Sequence, residues 1–306
     1  MPLIVTAAHP AQWTLESDGI FVIPATEAAR QDIRPLRLLL LDLMPEVAGL
    51  QVQLARLLGN TALQVELTIA HLDVGVPPSG GQALVPRAFR ELTDQRFDGL
   101  VVSHAVVGER PCHDAPCWDE LRDVLDWSLD HVHAALFLGW SSLAALDHFY
   151  GIATQPAPRP LIGVLRQRVR RRQSYLLRGF DDAFDVPVSA HRLPDVAAIA
   201  DSPWLEVLAE ADESGPYVVR NRSRRQVFVT HVPHYEPGHL VLDQRLLAHS
   251  PDGANGRRFT LSDCTWRAHA QVLFSNWLNY YVYQASPYHL DQLTPMSVPR
   301  ASTPIV

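Results

Sequence analysis

The chain has 306 residues, of which 47% are hydrophobic and 19% are charged, and its formal net charge is -7 at pH 7. This length is sufficient for a sizeable α/β core. The acidic balance gives no basic surface for phosphate binding, so we expect no nucleic-acid partner. All 26 residues counted as lysine or arginine are arginine, which excludes Schiff-base chemistry, a P-loop lysine and a lysine general base.

The cysteines and the apolar runs indicate a cytoplasmic protein without a membrane segment. Three cysteines, Cys112, Cys117 and Cys264, are too few for a disulfide framework, and the N-terminus lacks the pattern of a secretory signal. The longest apolar runs, such as RLLLLDLM from Arg37, fall well short of the ~20 residues that cross a bilayer.

Apolar runs rich in β-forming residues alternate with helical patterns along the chain. The helical patterns cover Leu50 to Leu58 and Leu121 to His131, where apolar residues recur at spacings of three and four. Continuous hydrophobicity is typical of strands covered on both faces. We therefore predict a three-layer α/β fold with a mostly parallel sheet. The predicted strands are 36–41, 63–69, 99–103, 134–138, 217–220 and 226–230.

No repeat or low-complexity linker divides the sequence, so we predict one domain over residues 1–306. Residues 1–33 are expected to form an N-terminal extension and residues 291–306 a frayed tail, both flanking the core. The proline-rich stretch TQPAPRP around Ala157 predicts a loop. The stretch Arg166 to Arg172 alternates with apolar neighbours, which favours an exposed strand with charge on its solvent face.

The stretch LFLGWSSLAALDHFYG, from Leu136 to Gly151, predicts a buried strand that turns sharply into a helix. Such a turn often displays a catalytic nucleophile, but its apex here is Gly139. Ligands of parallel α/β folds bind at the carboxyl ends of the strands. The residues directly after the predicted strands are therefore the candidates for a site, and they include Asp42, His104 and His231.

Several segments resemble the homoserine O-succinyltransferase family, also called homoserine transsuccinylase. They are IRPLRLLLLDLMPE from Ile33, LLGNTALQVELTIAHLD from Leu57, WSLDHVHAALFLGW from Trp127, LLRGFDDAF from Leu176 and WRAHAQVLFSNWLNYYVYQASPY from Trp266. The resemblance extends from the first residues to about Leu290. It implies the class I glutamine-amidotransferase-like, flavodoxin-like fold, a homodimer, and acyl-CoA as the cosubstrate that acylates the hydroxyl of homoserine.

The resemblance also shows where this chain departs from the family pattern. The family has a cysteine nucleophile at the strand-helix turn, where this chain has Gly139. The family signature TGHPEYD corresponds to THVPHYE here, so Val232 stands at the position of the general base and His234 at that of the orienting glutamate. A functional glutamate of the family corresponds to Pro111. Loss of nucleophile, base and orienting group together argues against the cysteine acyl-enzyme reaction.

New polar groups stand at or near the strand ends, namely His104, His231, His234 and Asp42. If the fold of the family holds, all four should face one crevice. The histidines are candidate catalytic residues because imidazole titrates near neutral pH. Together with Asp42 they are also candidate ligands of a transition metal, which could activate a water molecule.

Further candidates lie at the turn and in the loop after the third predicted strand. Trp140 and Ser141, together with Asp42, are candidates for substrate binding, since the backbone N–H of Trp140 begins a helix and suits a carboxylate or oxyanion. Cys112 and Cys117 are conceivable as a relocated thiol nucleophile.

Three functions remain open from the sequence. The first is a repurposed relative of the family that transfers an acyl or other group to a small amino-acid-like substrate without a covalent intermediate, using histidines. The second is a non-catalytic paralogue that binds a metabolite or a partner subunit. The third is a metal-dependent enzyme in the same crevice.

Overall fold

A twelve-stranded sheet organises the described residues, with strand order β2-β1-β4-β3-β6-β7-β12-β11-β10-β8-β9 and β5 beside β4. The computed structural model describes residues 3–5, 15–17, 19–44, 49–74, 86–248 and 264–299. The strands are β1 (Leu3–Val5), β2 (Val22–Pro24), β3 (Leu36–Leu41), β4 (Val65–His71), β5 (Arg87–Ala88), β6 (Phe97–Val102), β7 (Val132–Leu138), β8 (Thr154–Val169), β9 (Ala183–Pro194), β10 (Leu205–Ala211), β11 (Gly215–Asn221) and β12 (Gln226–Val229).

Helices connect and cover these strands. They are α1 (Ala25–Ala28), α2 (Leu50–Gly59), α3 (Trp118–His131), α4 (Trp140–Tyr150), α5 (Val196–Asp201), α6 (Pro237–Ala248) and α7 (Arg267–Trp277), and α7 continues as a π-helical segment, Leu278–Tyr283. The amphipathic patterns that predict α2 and α3 are confirmed, since the apolar side chains of both helices are buried. Among the described residues, none of the helices has the length and hydrophobicity needed to span a bilayer.

The parallel part of the sheet is the part that the apolar runs predict. Strands β4, β3, β6, β7 and β12 run parallel in that order. Every residue of β6 and of β12 is buried, because helices cover both faces and leave no solvent side for polar residues. The prediction of an α/β fold with a mostly parallel sheet is confirmed.

The antiparallel part was only partly predicted. From β12 the sheet continues through β11, β10, β8 and β9, all antiparallel. The prediction of a loop at TQPAPRP is wrong, because these residues lie in β8, where an irregularity between Pro156 and Leu161 accommodates the prolines. The arginine-rich stretch behaves as predicted as far as Val169: Arg166 and Arg168 are exposed, whereas Gln167 between them is buried.

The two ends of the chain are more than flanking segments. Strands β1 and β2 pair with each other, and β1 pairs with β4, so residues 3–5 and 22–24 extend the sheet. Leu3 and Val22 are buried in the core. Near the other end, Met296 is buried and its N–H donates to the carbonyl of Leu129 at 2.7 Å. The predicted extension and tail therefore both contribute to the core; residues 300–306 lie outside the described residues.

Candidate functional site

The sharp turn between β7 and α4 has the geometry that the sequence predicts. Gly139 adopts φ 57° and ψ -125°, a backbone conformation that favours glycine. Its N–H donates to the carbonyls of Val229 at 2.7 Å and of His231 at 3.1 Å. The end of β12 thus holds the turn from one side.

His104 occupies the space beside Gly139 where a side chain would project. A Cβ atom at Gly139 would lie 2.3 Å from Nδ1 of His104, well inside van der Waals contact. Nδ1 of His104 accepts the N–H of Trp140 at 3.0 Å. Since a backbone N–H can only donate, Nδ1 carries no proton, and the neutral ring holds its proton on Nε2. Burial lowers the pKa of His104 to about 3, with His191 adding to the shift.

These contacts correct two predictions about the turn. The N–H of Trp140 is not available to an anion, because His104 already accepts it. The hydroxyl of Ser141 donates within the fold, to the carbonyls of Val102 and Leu138 at 3.0 Å each, and it also accepts the N–H of Leu138. Ser141 therefore stabilises the turn and is not placed to bind a substrate.

His231 is a fully bonded core residue. Its Nδ1 lies 2.8 Å from Oγ1 of Thr230, and its Nε2 lies 3.0 Å from Oγ of Ser214. Because the hydroxyl of Thr230 donates to the carbonyl of Pro216 at 2.7 Å, it accepts from His231, and Ser214 in turn donates to Nε2. Burial lowers the pKa of His231 to about 4. With both nitrogens occupied, His231 is not available as a general base, which corrects that prediction.

His234 is a buried histidine, with only 3% of the residue exposed. Among the described residues, neither its Nδ1 nor its Nε2 has a hydrogen-bond partner. Burial lowers the pKa of His234 well below its usual value, and the neighbouring His104 and His239 lower it further. The ring of Tyr235 contacts both candidate histidines edge to face, with centroids 6.0 Å from His104 and 5.2 Å from His234.

Asp42 organises the backbone at the end of β3. Its carboxylate accepts the N–H of Met44 at 3.0 Å and the side-chain amide of Gln51 at 2.7 Å. The residue is 1% exposed. It thus joins β3 to the start of α2 and is not placed as a substrate ligand, contrary to the prediction.

The histidines and Asp42 do not assemble a metal site. Within the parts of the chain that the structure describes, no group of three or more His, Cys, Asp or Glu side chains is arranged to hold a metal ion. His104 lines a cleft beside the turn and His234 lines a separate cavity, so these two candidates do not share one crevice. The idea of a relocated thiol also finds no support, because burial raises the pKa of Cys112 to about 12 and that of Cys117 above its usual value.

A cleft beside the turn brings together residues that the sequence did not single out. The space that the centre of a water molecule can occupy in it is about 20 Å³. Strand β9 contributes Ser189 and His191, which point to the same side because they are two residues apart. The remaining polar lining comes from His104, Arg192 and Thr230, and the side chains of Trp140 and Leu143 contribute apolar lining.

His191 differs from the other histidines of the site. It is half-buried, and burial lowers its pKa, an effect that Glu109 and Asp243 partly oppose. The structure gives its ring no hydrogen-bond partner among the described residues. His191 is therefore a neutral imidazole with a free lone pair on the wall of the cleft.

Arg192 and Ser189 are held beside His191 by well-defined contacts. The guanidinium of Arg192 donates to the hydroxyl and carbonyl of Thr154 and to the carbonyl of Glu109, so its bonded partners are all uncharged. The hydroxyl of Ser189 donates to Asp243 at 2.8 Å. An unneutralised guanidinium on the wall gives the cleft a preference for anionic groups.

The missed residues, Ser189, His191 and Arg192, lie within a strand and not directly after one. A search restricted to strand ends could not find them. The available signal was the spacing of Ser189 and His191 in VSAHRL, which would place both on one face of a strand, but it becomes informative only once β9 is known to border the turn.

The fold and the turn together define the class of protein. A glutamine amidotransferase from Thermotoga maritima superposes with a TM-score of 0.55 at 11% identity, covering 82% of this chain and 99% of that one. A second glutamine amidotransferase, from Methylobacillus flagellatus, gives a TM-score of 0.51 at 12% identity, covering 84% and 99%. The chain thus has the class I glutamine-amidotransferase-like fold.

The family follows from sequence. The family model of homoserine O-succinyltransferase matches residues 2–288. A homoserine O-acetyltransferase from Brevibacillus brevis is 38% identical, over 95% of this chain and 99% of the relative. A homoserine O-succinyltransferase from Shewanella piezotolerans is also 38% identical, over 96% and 97%. This chain belongs to the homoserine O-succinyltransferase family, as the sequence resemblance predicts.

Proposed function

We propose that this protein transfers an acyl group directly between two bound substrates, without a covalent intermediate on the turn. The observation that carries the proposal is the contact of His104 with the N–H of Trp140, in the space beside Gly139. The ring of His104 fills the position from which a nucleophile would act. The same ring places the Nε2–H of a neutral imidazole at the cleft.

His104 is suited to polarise the carbonyl of an acyl donor. A neutral imidazole whose Nδ1 is engaged donates from Nε2, and such a donor stabilises the negative charge that develops on a carbonyl oxygen. The low pKa keeps the ring in this form at neutral pH. In this role His104 is an electrophilic group and not a base.

His191 is suited to be the general base. It has a free lone pair at neutral pH, lies on the same wall as Ser189 and lines the same cleft as His104. The guanidinium of Arg192 provides a cationic partner for a substrate carboxylate. We propose acyl-CoA as the donor and a small hydroxy amino acid as the acceptor, since the relatives are homoserine O-acetyl- and O-succinyltransferases.

The reaction balances with these groups alone. His191 takes the hydroxyl proton of the acceptor as its oxygen attacks the thioester carbonyl, and the carbonyl oxygen accepts the hydrogen bond of His104. Collapse of the adduct forms the ester C–O bond, breaks the C–S bond and expels the thiolate of coenzyme A. The imidazolium of His191 then returns its proton to the thiolate.

Kinetics with acetyl-CoA or succinyl-CoA and L-homoserine test the proposal. Direct transfer predicts intersecting double-reciprocal lines and no mass increase of the intact protein after incubation with the acyl-CoA alone, because both substrates must be bound. Parallel lines with an acylated peptide at any residue would refute it.

The variant His191→Ala identifies the base. We expect kcat/KM to fall by about 100-fold or more, the usual contribution of a general base, with little change in stability. The acidic limb of the pH profile should disappear in this variant, since the limb reports protonation of His191. The exposed His289→Ala is the matched control and should leave both kcat and the profile unchanged.

One observation favours a non-catalytic function as the second candidate. His104, His231 and His234 are all buried and either bonded or enclosed, as in a site that holds a ligand without turnover. Calorimetry with L-homoserine and each acyl-CoA separates the two candidates. Binding of a ligand without transfer in the presence of both would favour the non-catalytic paralogue.

A further inference from the structure

One wall of the cleft beside the turn is a segment without regular structure. Residues 105–110, which we call the gate segment, belong to neither a helix nor a strand, and Ala105, Val106, Val107 and Gly108 line the cleft. Among the described residues, no backbone hydrogen bond joins the gate segment to the rest of the chain. Segments with few such bonds open most readily in a folded protein.

Both ends of the gate segment are fixed. On one side, His104 is buried and its Nδ1 accepts the N–H of Trp140 at 3.0 Å. On the other side, Cys112 is buried, and the imidazole of His113 lies 3.1 Å from the carboxylate of Asp147 in α4. Movement in this region is therefore confined to the residues between these two anchors.

Arg192 holds the gate segment against the wall of the cleft. Its Nη1 donates to the carbonyl of Glu109 at 3.0 Å, while its Nε and Nη2 donate to Thr154 in β8. Val107 adds partly buried packing against the core. These bonds engage three of the five N–H donors of the guanidinium, so two remain for a substrate carboxylate. Arg192 can thus hold the gate segment and a substrate at the same time.

Gly108 has the features of a hinge. Its φ is 68°, a left-handed conformation that glycine adopts without strain. No atom outside its chain neighbours lies within 4 Å of the position that a Cβ would take. The backbone therefore has room to rotate at Gly108.

The cleft is too narrow for the proposed reaction while the gate segment keeps this position. The space available to water centres is about 20 Å³, which is enough for about one or two water molecules. An acyl thioester and a hydroxy amino acid are far larger, so a wall must move to admit them. The wall formed by β9 is held by its pairing with β8, whereas the gate segment has no such pairing.

We propose that residues 105–110 form a gate over the cleft, which turns at Gly108 and is latched by the contact of Arg192 with the carbonyl of Glu109. Opening admits the substrates, and closure excludes water that would hydrolyse a thioester. The purpose of the gate rests on the proposed transfer, but access to the cleft is measured without any turnover.

Chemical labelling of a thiol inside the cleft tests the gate. Ser189→Cys introduces this thiol at a position where 6% of the residue is exposed, and Ala190→Cys, also in the lining, is the second reporter. Neutral iodoacetamide is the probe, and peptide mass spectrometry of the full-length protein follows its reaction at each position. Cys264 lies outside the lining of the cleft and serves as the internal reference.

Two changes at the gate should raise the labelling rate. Gly108→Ala strains the latched conformation and leaves every other side chain of the cleft in place, so we expect a rise of about fivefold. Gly19→Ala, at a φ of 77° with no atom within 4 Å, is the matched control and should leave the rate unchanged. Arg192→Gln removes the latch and should raise the rate by about tenfold. Its control is Arg166→Gln, which removes an exposed arginine from an ion pair with Asp185.

Equal labelling rates in the parent, Gly108→Ala and Arg192→Gln would overturn the gate. A rise in Arg192→Gln alone would overturn it as well, because loss of the arginine side chain, and not movement at Gly108, would then uncover the thiol. No acyl-CoA or acceptor enters the measurement, so the gate and the proposed transfer can fail separately.

Discussion

Two buried histidines contact the ring of Tyr235, and they differ in how they are bonded. His104 accepts the N–H of Trp140, and this one contact fixes its position, its tautomer and its donor direction. His234 has no hydrogen-bond partner within the part of the chain that the structure describes. Both have lowered pKa values because of burial. The comparison shows that burial alone does not determine the role of a histidine. The hydrogen-bond partners of its ring nitrogens determine that role.

The largest expected effect comes from placing a side chain beside His104. Gly139→Ala should destabilise the protein by about 3 kcal/mol, through overlap with the imidazole and an unfavourable backbone conformation. Urea unfolding measures the change. Gly19→Ala is the control, because Gly19 also has a positive φ of 77° but no atom within 4 Å of the added Cβ; it should cost about 1 kcal/mol.

The double variant Gly139→Ala/His104→Gly isolates the overlap. If His104 fills the space beside the turn, the double variant should be more stable than the sum of the two single changes predicts. Additive effects would contradict this description. For the same reason Gly139→Cys alone should not form an acyl-enzyme with succinyl-CoA, since the cysteine would meet His104 and Val232 supplies no base.

Removing the bonded histidine should cost less. His104→Ala is expected to destabilise the fold by about 2 kcal/mol, because the N–H of Trp140 loses its acceptor and the ring leaves a void. His104→Asn, whose amide oxygen can accept the same N–H, should recover part of the loss. Thermal unfolding distinguishes the two, and equal losses would mean that the hydrogen bond contributes little.

The unbonded histidine should be visible in the pH dependence of stability. A folded-state pKa below the usual 6.5 means that the unfolded chain binds the proton more strongly. The contribution of the neutral His234 ring to the free energy of unfolding is therefore fully present above pH 6.5. It is lost as the pH falls toward the folded pKa. Between pH 7 and pH 5, His234→Gln should lose about 2 kcal/mol less than the parent protein. The exposed His289→Gln should lose as much as the parent.

The smallest effect on stability is expected when the ring of His234 is replaced by an apolar ring of similar size. His234→Phe should change stability by less than about 1 kcal/mol in either direction, because an unpaired polar ring is replaced by an apolar one of similar size. His231→Phe should be clearly destabilising, since it breaks the contacts with Ser214 and Thr230. Similar losses in both variants would show that His234 has a partner in solution.

Much of the fold could be predicted because its signals are local. Continuous apolar runs predicted strands such as β3 within the observed bounds, and glycine at the turn was compatible with the strained backbone at Gly139. Strands β9 and β10 were missed because their buried and exposed residues do not alternate regularly. Long-range pairing, and not the local pattern, makes these segments strands.

The site was less predictable because bonding depends on distant residues. The position of His104 at a strand end was correctly recognised, but its contact with Trp140 links two loops 36 residues apart. The partners of His231 and Asp42 are Ser214 and Gln51, and nothing in the sequence indicates that these side chains meet. Sequence patterns therefore located the neighbourhood of the site, and tertiary contacts decided which residues are available for chemistry.

A second turn, which follows β12 and contains Val232, covers an edge of the sheet. Strand β9 is the last strand of the order, and the carbonyl of Pro187 in it accepts the N–H of Val232 at 3.1 Å. An uncovered edge strand offers its backbone to other chains. Changes that loosen this turn should therefore expose β9 and promote self-association, so that sedimentation would reveal damage to the turn even where the core remains folded.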